Sequence, residues 1–191
     1  MLDFKTGNNW TRSAMVDGKQ VKTFAGTLWD SVNKRCDPNQ WTQKNEETYL
    51  GCENLFRDFN EFSEWCQTQV GYKEGFHLDK DLLEKGNKRY SKDTCIFVPQ
   101  EINNALTKCN KRRGIYPVGV SPQRKCKSLI ATVSCWGKNV YLGSFSDSLS
   151  AFNAYKAAKE AYLKALSDKW KDKIDPRSYE ALMNYQVEIT D

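Results

Sequence analysis

The stretch HLDKDLLEKGNKRYSKDTCIFVPQEIN, from His77 to Asn103, gathers residue types that bind a hard divalent cation and handle protons. Asp79 and Asn103 offer oxygen donors, the kind that Mg²⁺ and Mn²⁺ prefer. His77, the only histidine in the chain, stands two positions before Asp79, and residues i and i+2 of a strand share a face. One cation held by Asp79 and Asn103, with a base beside it, is equipment for hydrolysing a phosphodiester.

Positioning these groups requires a strand ending at Leu78-Asp79, a polar loop from Lys80 to Asp93, a second strand from Thr94 to Val98, and a helix beginning at Pro99. Proline suits a first helical turn, where its missing N–H costs nothing. Asp79 then approaches the cation from one side and Asn103 from the other.

This pattern resembles the HNH (ββα-metal, His-Me finger) endonucleases, especially the homing endonucleases of bacteriophages. The resemblance aligns Asp79 with the metal-binding acid, Asn87 with the loop asparagine, Thr94-Cys95-Ile96-Phe97-Val98 with the second strand and Asn103 with the helical metal ligand. Lys80 occupies the position of the family's general-base histidine. An unperturbed lysine is neutral only about once in 2,500 molecules at pH 7, although burial or a nearby cation lowers its pKa. The base is therefore either Lys80 or His77. The resemblance implies nicking of DNA with one Mg²⁺ or Mn²⁺ bound.

Positive charge is concentrated downstream. From Ile102 to Ser146 there is no Asp or Glu, while Lys108, Lys111, Arg112, Arg113, Arg124, Lys125, Lys127 and Lys138 contribute +8. The whole chain carries +5, so the remainder sums to −3. A segment with this balance is suited to tracking phosphates and releasing counterions.

The same region predicts three short strands, Gly119-Val120-Ser121, Ser128 to Ser134 and Val140 to Ser144, the last two joined by a turn at Trp136-Gly137-Lys138-Asn139. A helix is expected from Asp147 to Lys169, capped by Ser146, with Leu149, Phe152, Tyr155, Tyr162 and Leu166 near one face. Gly119-Val120, Gly137-Lys138, Tyr141-Leu142-Gly143-Ser144-Phe145 and Ala154-Tyr155 resemble the hallmarks of the ethylene-response-factor (APETALA-type) DNA-binding domain, which also occurs fused to phage HNH nucleases. That family lays its sheet in the major groove. The resemblance makes Arg124, Lys125, Lys127, Trp136, Lys138 and Tyr141 groove-facing candidates, with Arg112 and Arg113 in the preceding basic run. Trp136 either stacks on a sugar or covers the core.

Upstream, helices are predicted from Val21 to Lys34, with Phe24, Leu28 and Val32 in one stripe, and from Asn54 to Val70, with Leu55, Phe59, Phe62 and Cys66 at helical spacing. Trp29, Arg35-Cys36, Gly51-Cys52, Phe59, Phe62 and Trp65 resemble the segment that often precedes the finger in phage HNH proteins. Such a segment would support a motif too small to hold itself together. Ile174-Asp175-Pro176 breaks the chain before a short helix from Ser178 to Asn184.

The expected class is α+β. Its parts are a helical N-terminal scaffold (1–75), an HNH-like ββα-metal motif (76–112), a three-stranded antiparallel sheet on one long helix (113–170) and a C-terminal extension (171–191). The seven cysteines form no CxxC pair, so they are expected to be reduced thiols and a structural Zn²⁺ has no support from spacing. No long apolar run spans a membrane, and the N-terminus lacks signal-peptide organisation. The expected setting is the cytoplasm of an infected bacterial host and the expected partner is double-stranded DNA. The alternatives are a DNA-binding regulator that has kept the nuclease fold without turnover, and an RNA- or protein-binding module.

Overall fold

In a computed structural model, residues 3–72, 74–107, 115–123 and 126–191 are described, and the chain forms two compact units. The first comprises Met1–Pro99 with Lys173–Ser178, and the second Gln100–Asp172 with Tyr179–Asp191. Among the described residues there are six helices and several small sheets, a mixed α/β architecture in which one sheet has three antiparallel strands.

The first unit begins with two hairpins, β1 (Lys5–Thr6) with β2 (Asn9–Trp10) and β3 (Ser13–Val16) with β4 (Lys19–Lys22). Asp17 and Gly18 both have positive φ, at 50° and 74°, as a two-residue hairpin turn requires. The N-terminal part is thus not all helical. Val21 lies in β4, and helix α1 runs from Phe24 to Cys36 rather than from Val21. Thr23 sets its start, its side chain accepting from the Gly26 N–H at 3.0 Å. Asp37 ends it, extended as a residue before proline prefers.

After α2 (Trp41–Asn45) and β5 (Glu53–Asn54) comes α3 (Phe59–Thr68). The helix expected from Asn54 begins later because Asn54 pairs in a sheet and Asp58 caps α3, accepting from the Glu61 N–H at 2.9 Å. Leu55 consequently leaves the predicted stripe and is exposed.

The remaining strands are β6 (His77–Asp79), β7 (Arg89–Tyr90), which runs parallel to β5, and β8 (Ile96–Val98), which is antiparallel to β6. An aromatic core fixes them. The Phe97 ring lies 5.8 Å from Trp65 and 5.4 Å from Tyr72, and Phe56 and Phe62 meet edge to face at 5.0 Å. Burial of Phe97 anchors β8, and cross-strand pairing of Leu78 with Phe97 then sets the register of β6.

The second unit opens with α4 (Gln100–Leu106) and contains β9 (Val120–Pro122), β10 (Leu129–Cys135) and β11 (Lys138–Phe145), in the order β11-β10-β9. Trp136 and Gly137 close the β10–β11 hairpin with φ of 51° and 72°. A bulge interrupts the register between Ala131 and Thr132. Helix α5 (Ser148–Trp170) is capped by Asp147, whose carboxylate accepts from the Ser150 N–H at 2.8 Å, so the cap falls one residue after Ser146. Ala151, Phe152 and Tyr155 of α5 pack on Val120, Ala131 and Val133. Leu149, expected on this stripe, is exposed.

Helix α6 (Pro176–Met183) starts two residues before its predicted first turn, with the Asp175 carboxylate accepting from the Arg177 N–H at 2.8 Å. The C-terminal tail docks on α5. Val187 enters the core, its N–H donates to Glu160 at 2.8 Å, and its carbonyl accepts from Lys156 at 2.7 Å.

Candidate functional site

Strand alternation sends Leu78 into the aromatic core and His77 and Asp79 to the other face of β6. His77 is exposed. Asp79 is not a free surface carboxylate: its Oδ1 accepts the backbone N–H of Asp81 at 2.8 Å and of Leu82 at 2.7 Å. Burial nevertheless raises its pKa, an effect that these two N–H groups oppose. Among the described residues no hydrogen bond occupies Oδ2. The result is a half-buried carboxylate with one oxygen fixed and one open, which suits an oxygen ligand to a cation.

Lys80 is 4% exposed and its ammonium is fully engaged. Nζ donates to both carboxylate oxygens of Asp81, at 2.8 and 2.7 Å, and to the Asn87 carbonyl at 2.7 Å. Three protons donated in this way leave no lone pair with which to accept another. Lys80 therefore closes the loop as a cation.

Asn87 completes the closure from the other side. Its buried amide donates to the Lys80 carbonyl at 2.8 Å and the Arg89 carbonyl at 2.7 Å, while its oxygen accepts from the Arg89 N–H at 3.1 Å. Lys80 and Asn87 exchange side-chain-to-backbone bonds in both directions. This pins the start of the loop to β7, and β7 to β5, so the end of β6 cannot shift without breaking the network.

Asn103 lies on α4, half-buried, with its main-chain carbonyl accepting from Thr107 at 3.1 Å. The division between the units falls at Pro99/Gln100, between β8 and α4, so Asp79 and Asn103 belong to different units. Among the described residues no three His, Cys, Asp or Glu side chains converge as a metal-binding group. The described cysteines are free thiols, and burial pushes both Cys36 and Cys95 up to about 12.

Of the groove-facing candidates, Arg112, Arg113, Arg124 and Lys125 lie outside the described residues. Lys127 is exposed. Tyr141 is exposed on the outer face of the sheet opposite Thr132, whereas Lys138 pairs with Cys135 at the hairpin end. Trp136 turns towards α5, edge-on to Tyr162 at 5.1 Å with Lys169 over its ring at 5.2 Å. It covers the helix while remaining 49% exposed. The outer face is built from Ser121, Ile130, Thr132, Ser144 and Tyr141 and carries no acid.

Asp81 is the site residue that sequence reasoning missed, since nothing in its spacing marks it as the partner of a buried lysine. No described helix is long and apolar enough to cross a membrane. No family model, curated protein or solved structure matches the chain.

Proposed function

We propose that the chain is a metal-dependent endonuclease that hydrolyses a phosphodiester bond of duplex DNA, nicking one strand per site. The observation that carries this reading is Asp79, a half-buried carboxylate with one oxygen held by two N–H groups and the other open, on the same strand face as the only histidine. The open oxygen of Asp79 is a hard donor of the kind that one Mg²⁺ or Mn²⁺ takes. Bound there, the ion would supply charge stabilisation for the scissile phosphate and the departing oxygen.

His77 is the base in this reading, because Lys80 is spent on Asp81 and Asn87. Its imidazole takes a proton from the attacking water, the new O–P bond forms, and the bond to the leaving sugar oxygen breaks, that oxygen taking a proton from solvent. Lys80 and Asn87 hold the loop that keeps Asp79 in register. The acid-free face and basic residues of the second unit bind the duplex. This reading accords with the resemblance to the HNH endonucleases and to a groove-binding sheet.

The occupied ammonium of Lys80, at the position of the family's histidine, favours a second reading: a DNA-binding protein with the same scaffold and no turnover. Incubation with supercoiled plasmid and either Mg²⁺ or Mn²⁺ separates the two. Endonuclease action yields metal-dependent open circles that Asp79→Asn reduces at least about 100-fold without weakening DNA binding. Salt-sensitive duplex binding with no open circles under either metal would select the second reading.

A further inference from the structure

The second unit contains a cleft of about 860 Å³ that the endonuclease reading does not use. Its size falls in the range of small-molecule sites, roughly 300–1,000 Å³. Tyr155, Tyr162 and Tyr185 supply aromatic wall, Leu163 supplies apolar wall, and Lys159 and Ser134 supply polar groups.

Two features of the cleft look unfinished. The first is Lys159. Two other lysines of α5 are matched with carboxylates, Lys156 with Glu160 at 2.6 Å and Lys169 with Glu101 at 2.6 Å, and Lys164 is exposed to water. Lys159 has no carboxylate partner among the described residues, and its Nζ sits 5.6 Å from the centre of the Tyr162 ring. Burial lowers its pKa, with only Cys135 acting in the opposite sense. An ammonium partly withdrawn from water without a counter-charge is an unfavourable arrangement that an anion would relieve.

The second is the edge of β10. Pairing with β9 stops at Ala131↔Val120, and the last bond across this edge runs from the Thr132 N–H to the Gly119 carbonyl at 2.9 Å. By the two-residue repeat of a strand, the Ser134 N–H and C=O face the same side, beyond the end of β9 and into the cleft. Two acids also line the cleft: Glu101 is satisfied by Lys169 and by the Trp170 indole N–H at 2.9 Å, and Asp191 accepts from the Glu188 N–H at 2.9 Å.

We propose that this cleft binds a small aromatic anion, a planar ring bearing one carboxylate or phosphate, with the anionic group on Lys159 and the ring against the tyrosine walls. The Ser134 N–H donates to a second acceptor on the ligand. The site is built wholly within the second unit and does not depend on the endonuclease reading.

The test uses the full chain and 8-anilinonaphthalene-1-sulfonate, an aromatic anion whose fluorescence rises on leaving water. Saturable one-to-one binding is expected, weakened at least about tenfold in Lys159→Met and retained in Lys159→Arg. The uncharged N-phenyl-1-naphthylamine should not distinguish Lys159→Met from the wild type. Lys159→Met should melt no lower than the wild type, since it removes a poorly solvated charge, and this separates lost binding from lost folding. Displacement of the probe by adenosine monophosphate identifies a phosphate ligand, and displacement by benzoate a carboxylate. Equal affinity in wild type and Lys159→Met, unsaturable binding, or displacement by neither competitor would overturn the proposal.

Discussion

In the first unit the loop after β6 is held by polar groups turned inward: a lysine donating three hydrogen bonds, and an amide bridging two carbonyls and an N–H. In the second unit the sheet is held by apolar groups turned inward, Ala131 and Val133 against Ala151, Phe152 and Tyr155, and its polar residues face outward. The second arrangement is how an ordinary sheet–helix layer folds. The first buries charge and amide groups whose desolvation must be matched bond for bond, and it surrounds a carboxylate that burial makes harder to ionise. Groups kept in an unfavourable setting by an over-determined scaffold mark a functional site more clearly than exposed charge does.

The sharpest way to break this contrast is at Gly119, where φ is +74° and an added Cβ would lie 2.0 Å from the Tyr155 ring. Gly119→Ala combines backbone strain with overpacking and should cost about 4 kcal/mol. Amide hydrogen exchange should show protection lost across β9 to β11 and α5 and retained around Phe97 and Trp65. Lys80→Ala should cost about 3 kcal/mol in urea unfolding, because it removes three bonds from a charged donor. Asp81 keeps partial access to water, so its orphaned charge adds less than a fully buried one would. Here the exchange pattern should invert, with β6 and β7 losing protection and the three-stranded sheet unchanged.

Asp79 gives a smaller effect of opposite sign. Its pKa is raised by burial, so the folded state holds the proton more tightly than the unfolded chain. This contribution to stability is fully present below about pH 4, the unfolded value, and is lost as pH rises through the folded value. Asp79→Asn keeps an oxygen for the Asp81 and Leu82 N–H groups and removes the charge. In metal-free buffer at neutral pH it should melt above the wild type, with the difference vanishing towards pH 4. A lower melting temperature for Asp79→Asn at pH 7 would mean that the carboxylate is structural. The mildest test is thiol labelling at pH 7.5. Cys126 is exposed and should react at once, whereas Cys36 and Cys95, pushed up to about 12, should react only on unfolding.

The same contrast explains what was legible in the sequence. The β10–β11 hairpin showed its turn at Trp136-Gly137 and its alternation at Ala131 and Val133, and α5 showed its stripe, displaced only where Leu149 fell outside it. These are periodic signals carried by neighbouring residues. The alternation of His77, Leu78 and Asp79 was legible for the same reason. The burial of Lys80 was not, because lysine is rarely buried and its partner Asp81 has no diagnostic spacing. The two-residue pairing of β5 with β7 is too short to have a period. Asp17-Gly18 is a readable hairpin signal, but the helix predicted from Val21 on the stripe of Phe24, Leu28 and Val32 starts three residues before α1 does.

The most direct test of the central claim, that chemistry belongs to the His77–Asp79 face and loop closure to Lys80, is single-turnover nicking of supercoiled DNA by His77→Ala with and without added imidazole. Nicking is predicted to fall by about 100-fold or more and to recover in part with imidazole, as expected for a missing general base. Nicking by His77→Ala at the wild-type rate would contradict the account and remove His77 from the reaction.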